Sequence, residues 1–209
     1  MTDAVFIDLE TTGLDPVAEE IIEFAIAVVD TNTWEIDSSR CQSGIIISPS
    51  FARRLREDDL SDFIKNMHNK SGLLPLIRGR LESGSSVPNT YENVEANILG
   101  YISGWGIKTL PVWGSSVHFD RKFLEQKMPK LNEYFHYRIV DSSSDMMRLK
   151  ATQPELWKLI DNDTTKYESP EGAKAHRALE DIRHSVDLER RIDKWVTRPA
   201  SACSDLQGA

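Results

Sequence analysis

Cysteine is scarce: the 209 residues hold only Cys41 and Cys203. Two cysteines so far apart in sequence exclude a disulfide framework, and the chain is expected to work in a reducing, cytoplasmic setting. Long apolar runs are missing too. The longest, Phe24 to Val29, is strand-sized, well short of the roughly 18 residues a membrane-spanning helix needs, so no membrane partner is expected. Met1-Thr2-Asp3 leads into a strand pattern without the basic segment or apolar core of an export signal. Glycine (11) and proline (9) are at ordinary levels, which excludes collagen-like and low-complexity chains. Nor is there surplus positive charge, because 25 basic and 33 acidic residues leave a net charge of −8. That balance excludes a protein that grips long nucleic acid by neutralising phosphates. It leaves open a nucleic-acid enzyme whose acidic site gains positive charge from bound cations.

What is present is an ordinary globular composition, 40% hydrophobic and 28% charged, in a chain of single-domain size. Val5 to Leu9, Ile21 to Val29 and Ser43 to Ser48 read as three strands of an antiparallel meander, the third stopped by Pro49. Helical spacing follows at Leu60, Phe63, Ile64 and Met67, and again from Tyr91 to Ser103. Thr109 to Trp113 reads as a buried strand and Ser116 to Met128 as a helix. A short strand is expected around Arg138 to Val140, then helices at Ser143 to Lys150 and Pro154 to Ile160. Asn162 to Lys174 reads as a loop, and Ala178 to Val196 as a long helix. The pattern predicts an α/β fold with one mixed sheet. A single domain is expected over residues 1–196, with 197–209 a flexible tail.

Three constellations carry chemistry. Asp8 and Glu10 lie two apart at the end of the first strand, so both carboxylates point to one face. Such like charges are costly together unless a cation lies between them. Asp120 falls with Val117 and Leu124 inside the apolar stripe of its helix, where a carboxylate must be paired, protonated or metal-bound. Asp181 lies on the inward edge of the last helix, with His176 in the loop before it. Taken singly, each has an ordinary explanation: a solvated strand end, a salt bridge to Arg121 or Lys122, a surface histidine.

Taken in order, they are specific. Asp8-Leu9-Glu10-Thr11-Thr12-Gly13-Leu14-Asp15-Pro16, Gly114-Ser115-Ser116 through Asp120-Arg121-Lys122-Phe123-Leu124, and His176-Arg177-Ala178-Leu179-Glu180-Asp181 resemble the three motifs of the DEDD exonucleases, in the histidine-bearing branch. His68 followed by Ser71-Gly72-Leu73, and Tyr134-Phe135-His136-Tyr137-Arg138 with Asp141, bring the likeness nearest to the oligoribonuclease family. It spans about residues 4–195. The resemblance implies a ribonuclease H-like mixed β-sheet flanked by helices, and 3′–5′ hydrolysis of short single-stranded RNA, down to dinucleotides, to 5′-mononucleotides. It implies two divalent metal ions, Mg²⁺ or Mn²⁺, held by Asp8, Glu10, Asp120 and Asp181. These activate water and stabilise the leaving oxygen. His176 is then the general base, an imidazole being suited to proton transfer near neutral pH.

The resemblance also implies a substrate pocket. Leu14 matches a leucine that wedges between bases, and His68 a residue near the scissile bond. Ser116, Tyr137, Arg138 and Ser143 match groups that close over the 5′ phosphate, the last three from the partner subunit of a homodimer. Phe63 stands where the family usually has Trp, and Ser115 where it has Asn. Two other readings fit the same residues. One is a DNA-directed 3′–5′ exonuclease of proofreading or repair type, which would prefer long DNA, whereas short DNA is an alternative partner of the pocket just described. The other is a catalytically silent nucleotide-binding module.

Overall fold

Alternation along the first strand decides which side of the sheet each later element must cover. In the structure, a computed structural model that describes residues 3–172 and 175–196, β1 (Asp3–Thr11) turns Val5 and Ile7 to one core and Ala4 and Phe6 to the other. It pairs antiparallel with β2 (Ile21–Asp30), which pairs antiparallel with β3 (Glu35–Ile45). On its other edge β1 runs parallel to β4 (Val112–Gly114), and β4 runs parallel to β5 (Ile139–Asp141). The result is one five-stranded mixed sheet in the order β3-β2-β1-β4-β5, flanked by helices in a single domain.

Val5, Ile7, Ile26 and Val28 are covered by α4 (Tyr91–Ile102), α5 (Val117–Lys127) and α6 (Pro129–Tyr134), through Ile98, Ile102, Val117, Phe123, Leu124 and Leu131. The opposite face is made of small side chains, Ala4, Ala25 and Ala27 among them, and receives Ala178, Ile182 and Val186 of α9 (Ala178–Val196). Small residues on both partners let this helix lie close over the strand carrying Asp8 and Glu10. A satellite core joins Ile22 and Ile47 to α1 (Pro49–Arg56) and α3 (Leu73–Glu82). Between these runs α2 (Asp62–Lys70), while α7 (Ser142–Thr152) and α8 (Pro154–Asp161) pack through Leu149 and Ile160 on the far half of α9.

Where the sequence reading and the structure part, local physics explains it. The third strand is Glu35–Ile45 rather than Ser43 to Ser48, because an edge strand keeps one face in water and carries no apolar run. Ser48 leaves the sheet, and its Oγ accepts the Phe51 N–H at 3.0 Å as the N-cap of α1. Pro49, read as a strand stop, is also the first residue of that unanticipated helix, a position where its missing N–H costs nothing. Two further helices, α3 and α6, carry Pro75 and Pro129 in their first turns and were likewise absent from the spacing. Thr109 sits at φ 66°, which breaks the extended run and delays strand pairing to Val112. Gly114 closes β4 so tightly on β1 that a Cβ there would lie 2.8 Å from the Ile7 carbonyl oxygen. Residues 162–172 contain no helix or strand, and the expected tail at 197–209 lies outside the described residues. Among the described residues, no helix is long and apolar enough to cross a membrane.

Candidate active site

Asp8 and Glu10 share the strand parity of Ala4 and Phe6, so both turn toward α9. Glu10 is buried, 6% exposed, and Asp8 is half-buried. Because α5 follows β4, a parallel neighbour of β1, its first turn arrives at the same end of the sheet. There Asp120, 5% exposed, accepts the Leu9 backbone N–H on Oδ1 at 2.8 Å. From the third side α9 supplies Asp181 in its first turn, with His176 two residues before the helix in a left-handed conformation at φ 60°. Glu10, His176 and Asp181 each offer a ligand atom within 4.8 Å of the other two.

The electrostatics are those of buried acids crowded against one another. Burial, then repulsion from Asp120, Asp181 and Glu10, lifts Asp8 well above the usual carboxylate range. Burial and the charge of Asp181 push Glu10 up to about 9. Asp120 is pushed up to about 8 by burial, against the pull of the Leu9 N–H. Burial also raises Asp181, although its hydrogen bond with Glu10 and the nearby His176 act in the other direction. A hydrogen bond between two carboxyl groups needs a proton, and crowding these buried acids together raises their affinity for one. Hard oxygen donors converging from three elements fit a divalent cation such as Mg²⁺ or Mn²⁺.

Behind Glu10 lies His68 of α2, fully buried. Its Nε2 bonds the Thr11 carbonyl at 2.9 Å, while Nδ1 faces Glu10 Oε2 at 3.9 Å without a hydrogen bond. Burial lowers its pKa, so the ring is neutral and donates from Nε2. The structure thus puts His68 behind the cluster, away from solvent.

An apolar pocket of about 470 Å³ opens beside Glu10, lined by Leu9, Leu14, Phe63, Ile64, Met67 and Phe119 among others. Leu14 (82% exposed) and Phe63 (73% exposed) leave large apolar surface uncovered at its rim. Such exposure is costly in water and suits the flat face of a nucleobase. The sequence reading missed Met67 and Phe119 here; Phe119 had a signal in its position immediately before Asp120.

Ser116 and Ser143 meet at the starts of α5 and α7, with their Oγ atoms 3.2 Å apart, so Ser143 stands beside Ser116 in the same subunit rather than reaching it from a partner as the resemblance implies. Asp141 holds them together. Its Oδ1 accepts the Ser116 N–H at 3.1 Å, the Ser143 N–H at 3.0 Å and the Ser143 hydroxyl at 2.6 Å, and Oδ2 lies 3.2 Å from His118 Nδ1. Burial would raise the Asp141 carboxyl, but Ser143 and His118 hold it below its usual value. Tyr137 is 74% exposed, stacked on His136 with Arg138 over its ring. Among the described residues no hydrogen bond or ion pair joins Tyr137 or Arg138 to the four carboxylates.

A family model described as an exonuclease, of the RNase T kind, matches residues 5–188. The oligoribonuclease of Leifsonia xyli subsp. xyli is 32% identical over 208 residues, covering 98% of this chain and 90% of its own. That of Halorhodospira halophila is 33% identical over 198 residues, covering 94% and 96%. Among solved structures, zinc-bound Escherichia coli exonuclease I in complex with single-stranded DNA superposes with a TM-score of 0.61 at 16% identity. That match covers 92% of this chain and 40% of the longer one, and it speaks for the shared fold.

Proposed function

The chain belongs to the RNase T-type exonuclease family, and from that membership we propose that it is a 3′–5′ exoribonuclease of the oligoribonuclease kind. In this reading residues 1–196 form the exonuclease unit and degrade short single-stranded RNA, down to dinucleotides, to 5′-mononucleotides. The observation that carries it is the convergence of Asp8, Glu10, Asp120 and Asp181 with His176 beside an apolar pocket. The four carboxylates would hold two divalent ions, Mg²⁺ or Mn²⁺, which supply Lewis acidity to phosphodiester hydrolysis. His176 accepts the proton of the attacking water, a role worth about 10²–10⁴ in rate. Leu14, Phe63, Met67 and Phe119 take the terminal base by stacking, which tolerates any base because every base has a flat face. His68, in this reading, acts from behind by holding the Thr11 carbonyl, and with it the strand end that carries Glu10.

Length preference follows from the polar cluster at Ser116 and Ser143. These hydroxyls bind the 5′ phosphate, and in a homodimer the partner subunit's Tyr137 and the partner subunit's Arg138 close over it. A longer strand has to pass that cap. A guanidinium pairs with phosphate through two hydrogen bonds, so Arg138→Ala is expected to lower kcat/KM for a 5′-phosphorylated RNA dinucleotide by about 10–100-fold. Cleavage of a seven-residue RNA falls less, and equal losses at both lengths remove the cap from the reading. Mixing Arg138→Ala with Asp120→Asn tests the supply in trans: mixed dimers regain one intact site, about a quarter of all sites in a one-to-one mixture. The primary experiment is a cleavage time course with a labelled RNA dinucleotide, a seven-residue RNA and their DNA counterparts, with Mg²⁺ and with chelator. Fast, cation-dependent loss of the RNA dinucleotide is the expected result. Faster cleavage of long strands or DNA points to a general exonuclease, and no cleavage to a binding module.

A further inference from the structure

Beside the four carboxylates lies a fifth buried acid. Glu23 of β2 sits directly across the ladder from Glu10, is 5% exposed, and turns to the same face as its neighbours Ala25 and Ala27, toward α9. Its carboxylate is fully engaged. Arg177 Nε reaches both oxygens at 3.1 Å, Arg177 Nη2 reaches Oε1 at 2.7 Å, and the Ala178 N–H donates to Oε2 at 3.0 Å. The Arg177 carbonyl in turn accepts the N–H groups of Glu180 at 2.8 Å and Asp181 at 3.0 Å. Arg177 is therefore fixed by its side chain, its carbonyl and the amide that follows it, and the anchor is a residue on the strand next to Asp8 and Glu10.

His176 precedes Arg177 directly. It is exposed, its backbone is left-handed, and among the described residues no hydrogen bond holds its imidazole. A side chain in that state is aimed by its backbone alone, and the backbone is aimed by the residue after it. We propose that Glu23 and Arg177 are positioning residues that set His176 against the carboxylate cluster for proton transfer. The assignment rests on the nuclease reading above and adds two residues that act through the histidine.

The chemistry of the pair supports this over plain reinforcement of the fold. Glu23 adds repulsion to a site already crowded with acids, and its charge contributes to the raised proton affinity of Asp8 and Glu10. Simple packing of α9 would be served by a neutral side chain at that position without this repulsion. A carboxylate facing a guanidinium through a fork of hydrogen bonds supplies direction as well as attraction, which a lysine or an amide does not reproduce. The carboxylate also faces the amino end of a 19-residue helix, where negative charge is favoured.

The test is a double-mutant cycle. Glu23→Gln keeps the volume and one acceptor for the Ala178 N–H but loses the charged fork. Its kcat on the RNA dinucleotide with Mg²⁺ is expected to fall about 10–100-fold, the loss that a displacement of about 1 Å can bring, with KM within about twofold. In a His176→Ala background the same substitution is expected to cost nothing further. Multiplying losses in that background overturn the proposal, since Glu23 then acts through the cations or the fold. Nuclear magnetic resonance of the metal-free protein gives a readout independent of turnover. The ring signals of His176, identified by their loss in His176→Ala, are expected to shift in Glu23→Gln while those of His118 and His136 stay. Unmoved His176 signals also overturn it. Should Glu23→Gln not fold, Arg177→Gln removes the fork and leaves the Ala178 contact, and the same outcomes decide. An inactive wild type sinks the nuclease reading instead, whereas an active wild type matched by Glu23→Gln sinks only this one.

Discussion

Asp120→Asn is expected to cut turnover by about 10²–10³-fold or more, the loss that follows removal of one charge-stabilising group from a preorganised site, and at the same time to stabilise the metal-free protein. The two effects have one cause. Asp120 is held in the site by the Leu9 N–H on Oδ1, a bond that an asparagine oxygen keeps. What the variant loses is a negative charge that burial makes unfavourable, as its pKa of about 8 expresses. In the unfolded chain the same group ionises near its ordinary value of 3.8. The native state therefore binds the extra proton, and wild-type stability declines as pH rises between those two values. Asparagine does not titrate, so its advantage grows from about pH 4 to pH 8 and then levels off. In chelator at pH 8 the variant is expected to melt at least about 2–4 °C higher than wild type, the shift that 1 kcal/mol produces in a chain of this size. Calorimetric scans at pH 5 and pH 8 check it. A variant that is inactive and also less stable at both pH values would mean that the carboxylate is satisfied without a cation.

Legibility in the sequence follows how completely each element is buried. The run in β2 and the helical stripe of α9 declared themselves, because a strand covered on both faces and a helix covered on one leave strong periodic signals. The edge strand β3 did not. With Glu35, Asp37, Ser38, Ser39 and Arg40 in it, its pairing is a property of the backbone, and no side-chain pattern announces it. Helices α1 and α3 bury apolar side chains against Ile22 and Ile47, a contact invisible to local spacing.

Within the site, the carboxylates were legible because each broke a local rule: two like charges on one strand face, and an acid inside an apolar helix stripe. The structure brings Asp8, Glu10, Asp120 and Asp181 together with His176. The same rule applies to Glu23, a lone acid inside a buried strand that must have a partner, but reading Ile21 to Val29 as an apolar run passes over it. That partner, Arg177, lies 154 residues away in sequence, and no spacing connects them. Met67 read as core because its stripe is helical; only the path of the chain after β1 reveals that α2 and Phe119 wall a common pocket. His68 was placed by resemblance near the substrate, whereas its depth behind Glu10 depends on how α2 packs. The proposed cap over Ser116 came from resemblance alone, because nothing periodic in one chain encodes how two copies would meet.

Removal of divalent cations is expected to abolish turnover at every pH and to leave a protein whose stability falls as pH rises. Glu10 and Asp120 carry native values of about 9 and about 8, far above their ordinary 4.5 and 3.8. For groups raised in this way, the stabilisation belongs to the protonated form. It is complete below the unfolded values and is lost as pH climbs through the native ones. A bound divalent cation takes the place of those protons. Binding must therefore release protons at neutral pH, and affinity must rise with pH until the carboxyl groups are ionised without it. Titration calorimetry with Mn²⁺ in two buffers of different ionisation enthalpy measures the release directly. At pH 7 about one proton or more is expected to leave per protein, falling toward none near pH 10. The melting temperature of the loaded protein should vary little over this span, so its lead over the chelated protein widens from pH 5 to pH 9. A lead independent of pH, with no proton released, would mean that the cations bind elsewhere. Activity then could not depend on the acids at the end of β1.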